Sequence, residues 1–204
     1  MEHSWINHPT IIRTQTIELI PLEINLLDKL FEAASDTRIW EFYIGDWSVR
    51  ETFNKIYKTT LAQRNAGREY PFVIYHRDEQ KIIGSTRFMD IVQYDRRIEI
   101  GGTWLLPQYW STIVNLECKL AMMSFCFDTL KANRIQLKTQ HDNIRSRKAI
   151  EKIGGIYEGT FRQHMLKDNG TYRSSAYFSI LNSEWPNVKQ KIQKLISDKM
   201  IALK

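Results

Sequence analysis

The sequence predicts an α/β fold in which helices flank a mixed, mostly antiparallel sheet. Alternating and helical hydrophobic patterns follow one another as strand, two helices, three strands, helix, strand, helix, two strands and helix. The strand-helix-strand unit in the middle implies one parallel pairing within that sheet. Hydrophobic residues make up 43% of the 204 residues, which is enough for a sizeable core. We therefore expect one domain over residues 1–204, with residues 1–12 as a loosely held extension.

The first half of the chain supplies one strand, two helices and a meander. Residues 16–22 are predicted as a strand, and residues 23–35 carry apolar side chains at helical spacing. Ser48 followed by Glu51 is a capping-box pattern, which predicts a helix over residues 48–65. Three alternating segments separated by turn residues then predict antiparallel strands at 71–76, 81–91 and 97–106.

The second half begins with a strongly amphipathic helix predicted over residues 115–130. A strand at 134–139 and a helix at 143–153 follow, the helix being capped by Asn143 and stopped by Gly154. The last predicted elements are two strands around an Asp-Asn-Gly turn and a helix, at 156–167, 171–181 and from 183 onward.

Composition excludes several classes of protein. No apolar run approaches the ~18–20 residues that span a bilayer, and the first ten residues do not form a secretory signal, so the cytoplasm is the expected location. The net charge of +6 permits an anionic partner, but basic residues are spread along the chain and match no nucleic-acid motif. Nucleic acid and membrane are therefore not expected partners.

The two cysteines and the histidines predict neither a disulfide nor a metal site. Cys118 and Cys126 fall eight residues apart in one predicted helix, a rise of ~12 Å, which is too far for an intrachain disulfide. No cysteine or histidine cluster has metal-ligand spacing. We expect two reduced thiols and no bound metal.

Eight segments carry a resemblance to a known family, and each is weak alone. They are residues 71–74, 83–87, 99–105, 109–117, 143–154, 158–165, 177–180 and 184–186. In this order and spacing the chain resembles the GNAT superfamily of N-acetyltransferases over almost its whole length, and within it the RimJ/RimL-like branch that acetylates ribosomal-protein N-termini. The resemblance implies direct transfer of acetyl from acetyl-CoA to a primary amine, either a protein N-terminus or a small amine. A homodimer is a further expectation that stays open.

The segment from Gln108 to Val114 leads from a strand into a helix, where free backbone N–H groups and the helix dipole favour an anion. In the family this loop holds the pyrophosphate of coenzyme A and prefers glycine, whereas Ser111 and Ile113 stand here. A β-branched residue tolerates positive φ poorly, so we expect either a differently bent loop or weakened cofactor binding. The resemblance implies cofactor contacts from Thr103, Trp104, Leu105, Trp110, Ser111, Thr112, Ile113, Val114, Asn115, Asn143 and Arg147.

Glu99 is the candidate general base. Ile98 and Ile100 flank it, so alternation directs its side chain to the opposite face of the strand. The resemblance implies that this carboxylate accepts the proton that an attacking ammonium must lose. The alternative is a solvated glutamate paired with Arg97 or Lys138.

Ser146 is the candidate donor to the leaving thiolate, because Ile150 occupies the position where many members of the family carry a tyrosine. Asn143 is expected to cap its helix and, by the resemblance, to contact the pantetheine arm. The cluster of Arg145, Arg147 and Lys148 predicts either a contact with the 3′-phosphate of coenzyme A or a solvated basic face.

Three further features leave alternatives open. His164 is expected to be half-buried and hydrogen-bonded, with substrate contact as the alternative. An aromatic cluster between the first two helices predicts an acceptor wall or ordinary core: Trp40, Phe42, Tyr43 and Trp47. Ser111, Ile113 and Ile150 together motivate a rival hypothesis, a non-catalytic acyl-CoA-binding or regulatory module.

Overall fold

The computed structural model describes residues 4–202, which form one eight-stranded sheet and five α-helices. The strands are β1 (Ile12–Arg13), β2 (Ile17–Pro21), β3 (Tyr70–His76), β4 (Lys81–Val92), β5 (Arg97–Leu105), β6 (Arg134–Gln140), β7 (Ile156–Leu166) and β8 (Tyr172–Leu181). The helices are α1 (Leu27–Ala33), α2 (Arg50–Asn65), α3 (Val114–Ser124), α4 (Ile144–Lys152) and α5 (Trp185–Ala202). None of these helices, within residues 4–202, is long and apolar enough to span a membrane.

The sheet has the strand order β1-β2-β3-β4-β5-β6-β8-β7. The β5–β6 pair is parallel and its neighbours are antiparallel. This confirms the predicted fold class, including the single parallel pairing across α3.

Two hydrophobic clusters lie on opposite faces of the sheet. Phe72 and Ile74 of β3 belong to the cluster beneath α3 and α5, whereas Val73 belongs to the cluster beneath α1 and α2. This follows from the period of two along a strand. Ile98 and Ile100 of β5 lie on the α3 face, so Glu99 points to the α1–α2 face as predicted.

Two helices differ in form from the prediction. A 3₁₀ turn at Ile24–Leu26 precedes α1, and a π-helical turn at Phe125–Thr129 follows α3, where the sequence predicts continuous helices. The apolar spacing is similar in all these helical forms, so periodicity does not separate them.

The predicted capping box at Ser48 is wrong. Val49 occupies the N-cap position of α2 and makes no side-chain cap. The Ser48 backbone N–H and hydroxyl both donate to Asp46 Oδ1, at 2.9 and 2.6 Å. A local turn with an aspartate therefore competes successfully with the cap.

Residues 4–12, expected from the sequence to belong to a loosely held extension, contact the core and β3. Ile6 is buried in the larger core cluster. The Thr10 N–H donates to the Tyr70 hydroxyl at 2.8 Å, and His8 Nδ1 lies 2.9 Å from that hydroxyl. Residues 1–3 lie outside the described residues.

Candidate active site

The sheet opens between its two parallel strands. Pairing of β5 with β6 ends at Glu99 and Gln136, although β5 continues to Leu105 and β6 to Gln140. A cavity of about 510 Å³ occupies this wedge and extends over the start of α3 and α4. Such an opening leaves strand backbone free to bind an extended ligand.

The open edge of β5 is defined by two side-chain hydrogen bonds. The Tyr43 hydroxyl donates to the Thr103 carbonyl at 3.0 Å, and Trp110 Nε1 donates to the Leu105 carbonyl at 2.9 Å. In a strand, the N–H and C=O of one residue point to the same side, so the amides of Thr103 and Leu105 also face the wedge. Trp104, which alternates with them, packs its indole among the aromatic residues under α2.

Two glycines leave room beside the wedge. A Cβ on Gly101 would lie 2.9 Å from Glu99 Oε1, and one on Gly102 would lie 2.7 Å from Arg87 Nε. Gly102 also has a φ of +57°, which glycine adopts without strain. Because Gly101 and Gly102 have no side chain, the Glu99 carboxylate and the Arg87 guanidinium can lie close to β5.

Glu99 is buried, with 2% of its surface exposed, and lines the cavity. Its Oε2 atom lies 3.1 Å from Lys138 Nζ and accepts from Gln136 Nε2 at 3.0 Å. Its Oε1 atom has no hydrogen-bond partner among residues 4–202. Of the two partners considered from sequence, the structure selects Lys138, because Arg97 pairs with Asp90 and Asp95.

Lys119 is a site residue that the sequence analysis missed. It is buried in the cavity wall, and its Nζ donates to Thr103 Oγ1 at 2.6 Å. Burial lowers the pKa of this amine below its usual value. Its place beside the buried Leu116 and Met123 on α3 was the available signal, since a lysine on a core-facing helix side needs a polar partner.

The loop before α3 is bent so that Ser111, and not Ile113, takes the left-handed conformation. Ser111 has a φ of +62°, while Ile113 has a φ of −72° in the ordinary helical region. Of the two alternatives expected from the sequence, this backbone agrees with the bent loop, because Ile113 avoids the positive φ that a β-branched residue tolerates poorly. Thr112 Oγ1 donates to the Tyr109 carbonyl at 2.8 Å and accepts from the Val114 N–H at 3.3 Å, which fixes the turn.

Backbone amides at the start of α3 are available to a ligand. Within residues 4–202, the N–H groups of Ile113, Asn115 and Leu116 have no hydrogen-bond acceptor. Lys199, near the end of α5, donates to the Ser111 carbonyl and lines the same cavity. Free amides and a nearby cation together form a typical anion site.

The residues predicted on this loop divide into two groups. Trp110, Ser111, Thr112 and Asn115 line the cavity. The side chains of Ile113 and Val114 do not, and Val114 is buried in the core beneath α3.

The start of α4 forms the opposite wall. The Asn143 side chain accepts from the Ser146 N–H at 2.9 Å, which confirms the predicted cap. Asn143, Ser146 and Ile150 line the cavity. Arg145 lines it too, with its guanidinium 4.1 Å from the Trp110 ring.

Arg147, the predicted phosphate contact, is not among the lining residues. Its Nη1 donates to the His141 carbonyl at 3.4 Å, and its guanidinium lies over the Tyr157 ring. The helical phase of α4 directs Arg145 and Arg147 to different sides, which the sequence cluster did not reveal.

The other end of the cavity lies against the loop between α1 and α2. Phe42, Tyr43 and Trp47 line it, while Trp40 is buried behind them with its ring centroid 5.0 Å from that of Tyr43. The aromatic cluster therefore belongs to the hydrophobic core beneath α1 and α2 and also forms part of the cavity wall.

His164 is not among the lining residues. Its Nδ1 lies 3.1 Å from Ser175 Oγ, and its Nε2 lies 3.5 Å from the Tyr177 hydroxyl. Burial, followed by the charges of Lys138 and Arg173, lowers the pKa of His164. The expected hydrogen bonds are present, whereas the expectation of a half-buried side chain is wrong, because His164 is exposed at the surface of β7.

A family model described as "Acetyltransferase (GNAT) domain" matches residues 16–156, which contain the wedge, the loop and the start of α4. The chain belongs to the GNAT acetyltransferase family.

Relatives agree with this GNAT assignment. The chain is 25% identical over 168 residues to the uncharacterized N-acetyltransferase YoaA of Bacillus subtilis, covering 82% of this chain and 94% of YoaA. A GCN5-related N-acetyltransferase from Brucella melitensis superposes with a TM-score of 0.83 at 27% identity, over 93% of this chain and 86% of that one. Mycobacterium smegmatis RimJ, solved in complex with CoA-disulfide, has the same fold, with a TM-score of 0.75 at 20% identity, over 91% of this chain and 93% of RimJ.

The charge of the cavity suits the anionic cosubstrate of a GNAT enzyme. Glu99 is the one acidic side chain among the lining residues. The basic ones are Arg87, Lys119, Lys138, Arg145, Lys152, Arg173 and Lys199. No cluster of three or more potential metal ligands is present within residues 4–202.

Proposed function

We propose that the protein transfers the acetyl group of acetyl-CoA directly to a primary amine. One observation carries the proposal: the β5–β6 wedge brings the free amide edge at Thr103 and Leu105 together with the buried carboxylate of Glu99. Acetyl-CoA supplies an activated acetyl thioester. The protein's tasks are to bind this thioester, remove a proton from the amine and assist departure of the thiolate.

The phosphates of coenzyme A fit the amides at the start of α3. Ile113, Asn115 and Leu116 offer unused N–H groups, and Lys199 and Arg145 supply positive charge beside them. Backbone donors and cations at a helix N-terminus are the arrangement that binds pyrophosphate in many folds. The pantetheine arm is expected to follow the open edge of β5, with Asn143 on the opposite wall.

Glu99 is proposed to act as the general base. Lys138 and Gln136 hold Oε2, which leaves Oε1 as the atom able to accept a proton from the amine. An amine attacks a carbonyl only through its lone pair, so the ammonium form must first be deprotonated. A buried carboxylate at the cavity wall satisfies this need.

The strand amides and Ser146 are proposed to stabilise developing charge. N–H groups at Thr103 and Leu105 are directed into the wedge, where they can donate to a thioester carbonyl oxygen. The Ser146 hydroxyl lines the facing wall and can donate a proton or hydrogen bond to the leaving sulfur.

The acceptor enters on the side of α1 and α2, against Phe42, Tyr43 and Trp47. Two classes fit this reading, a protein N-terminus and a small amine. The resemblance of the sequence to the RimJ/RimL-like branch favours the first class, although a shared fold is a weak guide to the substrate.

Two measurements test the proposal. Calorimetric titration with acetyl-CoA measures binding, and detection of free thiol during incubation with short peptides and small amines measures transfer. We expect binding together with amine-dependent thiol release. Binding of acetyl-CoA with no turnover of any amine would instead support the non-catalytic module. The apolar Ile150, at the position where many family members carry a tyrosine, favours that alternative.

A further inference from the structure

Arg173 of β8 is a cavity-lining cation without a partner. Its Nε atom is buried and has no hydrogen-bond acceptor, and no carboxylate within residues 4–202 lies at ion-pair distance from its guanidinium. The neighbouring cations are paired, since Arg87 lies 3.2 Å from Glu69 and Lys138 lies 3.1 Å from Glu99. Arg173 is therefore a cavity-lining guanidinium that no carboxylate of residues 4–202 neutralises.

An unpaired guanidinium is costly in such a place. Arginine stays protonated in proteins, so it cannot escape the cost of burial by becoming neutral. The side chain is partly buried, and this burial lowers the pKa of Arg173 because desolvation disfavours the charged form. An anion that enters the cavity with its amine would remove this penalty.

The position of Arg173 assigns the anion to the acceptor and not to coenzyme A. Arg173 lines the cavity together with Tyr43 and Glu99, whereas the free amides of the phosphate loop lie at the start of α3. Arg173 is paired across the hairpin with Met165, which lines the same end of the cavity.

The hairpin that carries Arg173 is fixed against the acceptor side. The Asp168 N–H in its turn donates to the Ile44 carbonyl at 2.9 Å, and a Cβ on Gly45 would collide with the Asp168 carboxylate. This contact holds the hairpin turn beside the loop between α1 and α2, the side from which the acceptor is proposed to enter.

We propose that the acceptor amine carries a carboxylate, which pairs with the Arg173 guanidinium while the amine faces Glu99. This inference rests on the proposed function and names the substrate class of the same site. A planar guanidinium matches a carboxylate with two parallel hydrogen bonds, which gives orientation as well as affinity. Arg173 is thus a binding residue that sets acceptor specificity.

Acceptor pairs that differ only in charge test the proposal. Thiol release is measured with ω-amino carboxylates of two to six carbons against amino alcohols of equal length, and with peptides carrying Glu or Gln at their second position. We expect the wild type to prefer the charged member of at least one pair by about 30-fold in kcat/KM, mainly through KM. Arg173→Met should abolish that preference, and Arg173→Lys should retain part of it.

Arg162→Met is the matched control, because Arg162 is exposed on the adjacent strand β7 and does not line the cavity. It should keep the wild-type preference. Thermal unfolding of all three variants shows whether each remains folded. O-phosphoethanolamine against ethanolamine forms a separate arm, and a preference confined to the phosphate would overturn the carboxylate assignment.

A binding experiment separates failure of this inference from failure of the proposed function. N-acetyl derivatives of the same ω-amino carboxylates and amino alcohols are titrated calorimetrically into protein saturated with coenzyme A. Tighter binding of the charged derivative by wild type but not by Arg173→Met supports the inference even if no amine is turned over. Equal binding of charged and neutral derivatives, or an unchanged preference in Arg173→Met, would refute it while leaving acetyl transfer intact.

Discussion

Glu99 Oε2 of β5 lies 3.1 Å from Lys138 Nζ of β6. The carboxylate stands at the last paired position of the two strands, and the cation that anchors it lies just beyond that position on β6. This relationship fixes Oε2 and leaves Oε1 without a hydrogen-bond partner among residues 4–202. The Glu99 carboxylate is buried, but the charge of Lys138 compensates its negative charge. A buried carboxylate without a neighbouring cation would lack this compensation.

Replacing the carboxylate should remove the base and keep the binding site. We expect Glu99→Gln to lower kcat at pH 7 by about 100-fold, because general-base catalysis typically contributes that much. Affinity for acetyl-CoA should stay near normal, measured by calorimetry. Glu32→Gln, at an exposed position on α1, is the control. Activity of Glu99→Gln equal to wild type from about pH 6 to 9 would remove Glu99 from the mechanism.

Ser146 should affect the departure of the thiolate and not cofactor binding. Its backbone N–H, which makes the cap to Asn143, is retained in Ser146→Ala, so α4 should remain intact. We expect kcat to fall by about tenfold or more with little change in the Kd for coenzyme A. An unchanged kcat, measured under conditions where chemistry limits turnover, would assign Ser146 a structural role only.

Substitutions of Ser111 should change the stability of the protein in the way expected for a residue with a left-handed backbone conformation. Its φ of +62° is costly for residues with a side chain, and more so for β-branched ones. Ser111→Gly is expected to leave stability unchanged or raise it by up to about 1 kcal/mol, and Ser111→Val to lower it by about 1–2 kcal/mol. Denaturant unfolding measures both. Equal stability of the two variants would contradict the assigned backbone geometry.

Lys199 should act on cofactor affinity through charge. We expect Lys199→Met to weaken coenzyme A binding about three- to tenfold at low salt, less so at high salt, and to leave kcat at saturation unchanged. Lys194→Met, on the exposed side of the same helix, is the matched control. Identical Kd values for the two variants would show that Lys199 serves only to hold the Ser111 carbonyl.

The Glu158–Arg134 pair predicts a pH dependence of stability. The Arg134 guanidinium, helped by the Ser179 hydroxyl, lowers the pKa of Glu158 to about 2 from its usual 4.5. A depressed carboxyl stabilises the fold above pH 4.5 and loses this contribution as the pH falls toward 2.

The corresponding variant is Glu158→Gln. Because the glutamate side chain is 40% exposed, screening should limit its effect at pH 7 to about 1 kcal/mol or less. The difference in free energy of unfolding between the variant and wild type should shrink as the pH falls toward 2. A difference independent of pH would assign the effect to packing.

Most helices and strands could be predicted from the sequence, because their hydrophobic patterns arise from residues that are close together along the chain. Alternation predicted β3, β4 and β5 to within a few residues, and the Asn143 cap was recognised from one residue and its spacing. Where two local interactions competed, as at Ser48 beside Asp46, the sequence pattern gave the wrong partner. The outcome there depends on the path of the loop and not on residue preference.

The sequence by itself determined the order of strands and helices, the single parallel pairing and the orientation of Glu99 away from the α3 core. These depend on the period of a strand or helix and on the short connections between elements. Only the tertiary structure decided that Lys138 anchors Glu99, that Arg145 and not Arg147 lines the cavity, and that Lys119, Lys199 and Arg173 reach it. The physical reason is that these side chains come from α3, α4, α5, β6 and β8, and no periodicity relates residues on separate elements until the sheet opens and brings them together.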